Sequence, residues 1–142
     1  MFHFEKSIAI KKTPHEVFAY IANPSNMLQW RYDLIETKFQ SLPIHSGDKI
    51  QEVVNFNGPK TCTVKVIELV SDRKIVFKVT SGTTYLPKRE LIIEEEGGHT
   101  KFTIKVSAHS DGFSRLIEPL SSSMYSLKWD TYLFSLKKAL EG

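Results

Sequence analysis

Apolar and polar residues alternate at the start of the chain. Over residues 2–10, Phe4, Ile8 and Ile10 hold even positions and Glu5, Ser7 and Ala9 odd ones, the two-residue period of a half-buried strand. Only Lys6 interrupts the apolar row, which a bulge or a side chain reaching back to water would explain. The period then changes. Thr13 predicts an N-cap, Pro14 the first helical residue, and Glu16 the far side of a Thr-x-x-Glu capping box. Val17, Phe18, Ile21 and Ala22 form the apolar stripe of this helix. Asn23-Pro24 ends it, because the residue before a proline disfavours helical dihedrals. A second short helix follows, around Ser25 to Trp30.

Six further strands are predicted, over 34–40, 48–57, 60–70, 73–80, 85–95 and 99–109. Ser46-Gly47-Asp48, Asn57-Gly58-Pro59, Ser71-Asp72-Arg73, Ser81-Gly82 and Gly97-Gly98 separate them with residues suited to turns. Hairpin connections, hence an antiparallel sheet, are the natural reading. In the last strand Phe102, Ile104, Val106 and Ala108 share one face, and Lys101, Thr103, Lys105 and Ser107 the other. The apolar face needs a cover, and the stretch from about Phe113 to Leu140 is left to form a helix that supplies it.

That helix has two apolar sides. At 3.6 residues per turn, Phe113, Ile117, Leu120, Met124 and Leu127 fall on one, and Trp129, Leu133, Leu136 and Leu140 roughly opposite. Either Pro119 and Ser121-Ser122-Ser123 break the helix, or it is sandwiched between the sheet and the two short helices with a kink.

Composition narrows the class. The chain has 142 residues, 41% hydrophobic and 25% charged, the size and proportions of one globular domain spanning 1–142. A net charge of +3 names no partner by itself. The single cysteine, Cys62, excludes an intramolecular disulfide and a cysteine-based zinc cluster and suits a reducing, cytoplasmic setting. The N-terminus does not read as a signal peptide, and no stretch approaches the roughly 18 apolar residues of a membrane span. A soluble protein without stable membrane insertion is expected.

The order of strand, two short helices, six strands and a long helix, with "SIAIKKTPHEVFAYIANPSNMLQW", Gly47, "SDRKIVF", "GGHTKFTI" and "SLKKALEG", resembles the START-like (SRPBCC, helix-grip) superfamily. That superfamily includes polyketide cyclases and dehydratases, pollen-allergen and pathogenesis-related plant proteins, and activators of the heat-shock ATPase. The chain looks most similar to the bacterial polyketide cyclase/dehydrase-like branch. The resemblance implies an α+β helix-grip fold, a seven-stranded antiparallel curved sheet around the C-terminal helix with an apolar cavity between them. It further implies a small hydrophobic ligand, with catalysis in a minority of members and no catalytic motif to carry over. A cyclase- or dehydratase-like enzyme and a chaperone-activator-like interaction module are the alternatives.

Several residues could line such a cavity. Trp30 either stands at its entrance or plugs the core. Phe56, Phe77, Phe102 and Ile104 on the strands, and Leu120 and Met124 on the helix, suit either a lining or a filled core. Tyr85 and Arg89 share a strand face with Leu91 and Ile93, so Arg89 could hold a ligand carboxylate with Tyr85 donating a hydrogen bond. Alternatively, Pro87 introduces an irregularity that turns Arg89 outward. His3, His15, His45, His99 and His109 lack metal-ligand spacing, and His109 would need a polar partner to act as a base. Cys62 reads as a small buried hydrophobe rather than a nucleophile. "KFTIKV" reads as a sheet with one solvated face, not a nucleic-acid surface, and Glu94-Glu95-Glu96 as a hairpin tip. Neither a cofactor nor a metal is expected.

Overall fold

The structure is a computed structural model. It describes the backbone of residues 2–55, 58–82, 88–108 and 112–142, and the side chains of 4–55, 58–82, 88–107 and 127–142. Its elements run β1 (Phe2–Ile10), α1 (Pro14–Ile21), the 3-10 helix η1 (Pro24–Gln29), β2 (Leu34–Lys38), β3 (Lys49–Asn55), β4 (Pro59–Val70), β5 (Lys74–Gly82), β6 (Lys88–Glu96), β7 (His99–Ala108) and α2 (Gly112–Glu141). The strands form one antiparallel seven-stranded sheet in the order β1-β7-β6-β5-β4-β3-β2. This is the antiparallel sheet that the alternation predicts, in the helix-grip architecture that the resemblance implies, and the C-terminal helix lies against the sheet through β1.

Local chemistry sets the boundaries. The Thr13 side chain accepts from the Glu16 amide at 3.2 Å, and the Glu16 carboxylate accepts from the Thr13 amide at 3.4 Å, so the capping box closes on both sides. Asn23 caps η1 by accepting from the Ser25 amide at 3.0 Å. Lys6 faces inward with no irregularity in the β1–β7 register; its ammonium reaches Asp130 of α2 at 3.2 Å, so the stem packs and the charge escapes to the rim.

Register shifts interrupt β2–β3 between Leu34 and Glu36, and β4–β5 between Thr63 and Val64 and between Val66 and Glu68. Such irregularities bend strands and add twist, curling the sheet around its contents. At the end of β5, Gly82 has φ +93, and a Cβ there would collide with the Thr61 carbonyl oxygen and come within 2.6 Å of the Cys62 Cα.

The antiparallel register gives the sheet two distinct ends. Phe2, Leu34, Asn55, Pro59, Gly82, Lys88 and Ala108 lie at the first, from which α2 departs. Ile10, Lys49, Val70, Lys74, Glu96 and His99 lie at the second, where α1 follows β1. There Glu141 at the close of α2 accepts from the Lys11 amide at 2.7 Å, and Lys137 donates to the Ala9 carbonyl at 2.8 Å. At this second end the interior is an apolar core including Ile10, Val17, Ile21, Ile75 and Leu136, all fully enclosed.

The C-terminal helix is continuous from Gly112 to Glu141 and passes through Pro119 and the serine run without a break. Beyond residue 126 it buries Trp129, Tyr132, Leu133 and Leu136, while Leu127 is exposed. It touches the sheet through β1 and also meets η1, so it lies between two layers. The other apolar stripe, including Phe113, Ile117, Leu120 and Met124, lies outside the described side chains.

Candidate functional site

Among the described residues, four charged side chains are sealed inside the curled sheet. Arg31 follows η1, Asp33 precedes β2, Glu52 is in the middle of β3 and Arg89 is near the start of β6; none is more than 5% exposed. Glu52 lies between Ile50 and Val54 on the buried face of β3. Arg89 shares the buried face of β6 with Leu91 and Ile93, so it points inward, and Pro87 does not turn it out.

Among the described residues the four groups form one bonded network. Arg89 donates from both terminal nitrogens to the two oxygens of Glu52, at 3.0 and 2.9 Å. Arg31 donates to Asp33 at 3.3 and 2.9 Å, and its remaining terminal nitrogen reaches Glu52 at 3.2 Å. Two guanidinium and two carboxylate groups cancel in charge, and paired two-point contacts of this kind are strong and directional. Three strand steps separate β3 from β6, roughly 14 Å along a flat sheet. A direct Arg89–Glu52 contact therefore requires the sheet to be curled, and it runs across the interior as a chord.

Aromatic rings frame the ions. The Arg89 guanidinium lies 5.3 Å from the centre of Phe77, and that of Arg31 5.7 Å from Trp129. Trp129 packs edge-on against Trp30, with centroids 5.9 Å apart, and Trp30 against Phe102 at 6.3 Å. Burial works against the Glu52 charge, but the two arginines outweigh it and hold the carboxyl down at about 2. Glu52 is thus ionised near neutral pH and has no proton to give. On β4, directly opposite Glu52, the Cys62 thiol is pushed up to about 11 by burial and by the neighbouring Glu52 charge, which leaves it a poor nucleophile.

The network sits toward the first end of the sheet. Arg89 pairs with Val106, and Val106 with Phe4, on strands whose ends are near the departure of α2. Trp129, 6.4 Å from Phe4, belongs to the same level. Through Trp30 the cluster reaches Phe102, which pairs with Ile8 and Ile93, so ions and indoles form one connected layer that meets the packed apolar core toward the second end.

Of the residues singled out in the sequence, Trp30, Phe77, Arg89, Phe102 and Ile104 are all buried in this interior. Phe56, Tyr85 and His109 lie outside the described residues, as do the side chains of Leu120 and Met124. Arg31, Asp33, Glu52 and Trp129 were not foreseen as site residues. Glu52 carried a signal: it shares the even parity of Ile50 and Val54, a charge on a face otherwise apolar. Arg31 and Asp33 belong to "WRYDLI", which has no periodicity to mark them. Among the described residues, no group of three or more His, Cys, Asp or Glu side chains is placed to hold a metal ion.

A curled antiparallel sheet gripping a C-terminal helix, with ionic and aromatic side chains sealed between them, defines a START-like helix-grip protein. The family model for polyketide cyclase / dehydrase and lipid transport matches residues 1–141, and the chain belongs to that family. Among solved structures, it is similar to a protein from Thermus thermophilus, with a TM-score of 0.79 and 11% identity over 98% of this chain and 97% of that one. A START superfamily protein from Mycobacterium smegmatis matches with a TM-score of 0.75 and 11% identity, over 98% and 97% of the two chains. The Aha1 protein of Colwellia psychrerythraea, solved as a dimer, matches with a TM-score of 0.71 and 19% identity, over 99% and 97%. A search of curated proteins returns no match. No helix among the described residues is long and apolar enough to cross a membrane.

Proposed function

We propose that the chain is a single ligand-binding domain that takes one small hydrophobic or amphipathic molecule between the sheet and α2. The observation that carries this reading is the ion-and-indole layer. Packing alone does not call for four buried charges and two buried indoles at one level, because each polar group loses its bonds to water on burial. A binding cavity does use such groups: apolar walls supply affinity and a few fixed polar groups supply orientation. The family's association with cyclases, dehydrases and lipid transport points the same way. Trp30, Phe77, Arg89, Phe102 and Ile104 would bound the ligand, with Phe56, Tyr85, Leu120 and Met124 completing the lining.

Binding is favoured over catalysis by the state of the charged groups. Glu52, with its carboxyl held at about 2, does not shuttle protons near neutral pH, and each arginine is already engaged by a carboxylate. A cytoplasmic setting fits the free, buried Cys62. The test is titration of the purified protein with a fluorescent long-chain acyl probe. One saturable site, competed by unlabelled lipid and weakened by Trp30→Ala, is expected. Absence of saturable binding overturns the proposal.

A further inference from the structure

Trp30 and Trp129 each bury an indole nitrogen that has no hydrogen-bond partner among the described residues, and both side chains are fully enclosed. An indole N–H can only donate. Nearly all buried donors in proteins are paired, because an unpaired one has given up water for nothing. With ring centroids 5.9 Å apart, the two indoles that carry these donors adjoin in one patch of the interior. That patch lies in the layer described above, against α2.

We infer that this patch receives the polar end of the ligand, and that the group it receives is a neutral carbonyl oxygen, as in a ketone, ester or amide. The inference rests on the ligand-binding reading of the preceding section and adds the chemistry of the ligand's head. An acceptor is required because the patch offers donors. Neutrality follows from the surrounding ions: Glu52 already engages Arg89 at two points, and Asp33 engages Arg31. A carboxylate arriving here would be buried beside a network whose charges already cancel.

The competing account is that the N–H groups rest on ring faces. Phe102 packs edge-on to Trp30, and Tyr132 edge-on to Trp129 with centroids 5.1 Å apart, and aromatic faces accept weakly. Proton NMR separates the two, since the chain has only two tryptophans and the variants Trp30→Phe and Trp129→Phe assign their indole signals. The protein is titrated with methyl nonyl ketone, undecane and undecanoate, which have equal carbon counts. The ketone is expected to move both indole protons downfield, and undecane to leave them in place. The double Phe variant is expected to lower ketone affinity relative to undecane by about tenfold.

If ketone and undecane both bind while the indole protons stay put, the inference fails and the binding reading stands. If no probe binds, the binding reading fails and takes the inference with it. Tighter binding of undecanoate than of the ketone overturns the neutral head group. The wild-type titration decides these outcomes even if the variants fold poorly.

Discussion

The described interiors toward the two ends of the sheet are both buried, and they are built from different material. At the second end, Ile10, Val17, Ile21, Ile75 and Leu136 make a dry apolar core, and each contributes through area removed from water. Toward the first end, the same degree of burial encloses Arg31, Asp33, Glu52 and Arg89. Buried ion pairs do not reliably beat apolar side chains of the same volume, because the cost of desolvation offsets the attraction. The second end therefore accounts for holding the fold together, and the first is better explained by a task beyond stability.

The largest expected effect comes from removing the centre of the network. Glu52→Ala leaves two buried guanidinium groups short of a carboxylate and should cost about 3–5 kcal/mol in urea unfolding. The paired replacement Glu52→Leu with Arg89→Met should recover most of that loss. If the pair is as damaging as the single change, the network is a stabilising device after all, and the contrast between the ends disappears.

A cavity at the other end gives the matching control. Leu136→Ala should cost about 2–5 kcal/mol while leaving acyl-probe affinity per folded molecule unchanged. A large fall in that affinity would show that the two ends do not work separately.

Acid should reach the ion network through Glu52. The Glu52 carboxyl, ordinarily near 4.5, is held at about 2 in the folded protein. Its contribution to stability is therefore complete above the ordinary value and is lost as pH falls from about 4.5 toward about 2. Urea midpoints measured across this range should fall more steeply for wild type than for Glu52→Ala. Equal slopes would mean that Glu52 is not held in its charged form by the arginines.

The smallest effect lies at the rim of the second end. Thr13→Ala removes the cap of α1 and should cost about 1 kcal/mol, read as a small drop in thermal midpoint with probe binding intact.

The sequence revealed these regions unequally. Capping and turn chemistry are local, so the Thr13 box, the Asn23-Pro24 break and the hairpin turns could be read from neighbouring residues. The strand at 2–10 matches β1, and the expected strand at 85–95 falls on β6 at Lys88–Glu96. The second-end core followed from period, since Ile8 and Ile10 on β1 and Val17 and Ile21 on α1 announce their faces by spacing alone. The network did not, because its partners are far apart in the chain: Arg89 and Glu52 are 37 residues apart. Their meeting depends on how far the sheet curls, which bulges and twist set together. Parity could show that Glu52 and Arg89 face inward, but not that they face each other.

Gly82 limits how freely this chain can drift in sequence. Two independent constraints meet there: a backbone conformation that side chains rarely adopt, and a β4 backbone too close to admit a Cβ. Flexible neighbours can give way to a new side chain, but here the obstruction is main chain. Of the two obstructing residues, Thr61 and Cys62, Cys62 lies directly opposite Glu52, so yielding at position 82 would displace the strand beside the ion network. In a saturation library, position 82 should return glycine whether selection is for folding or for binding, because one backbone contact underlies both.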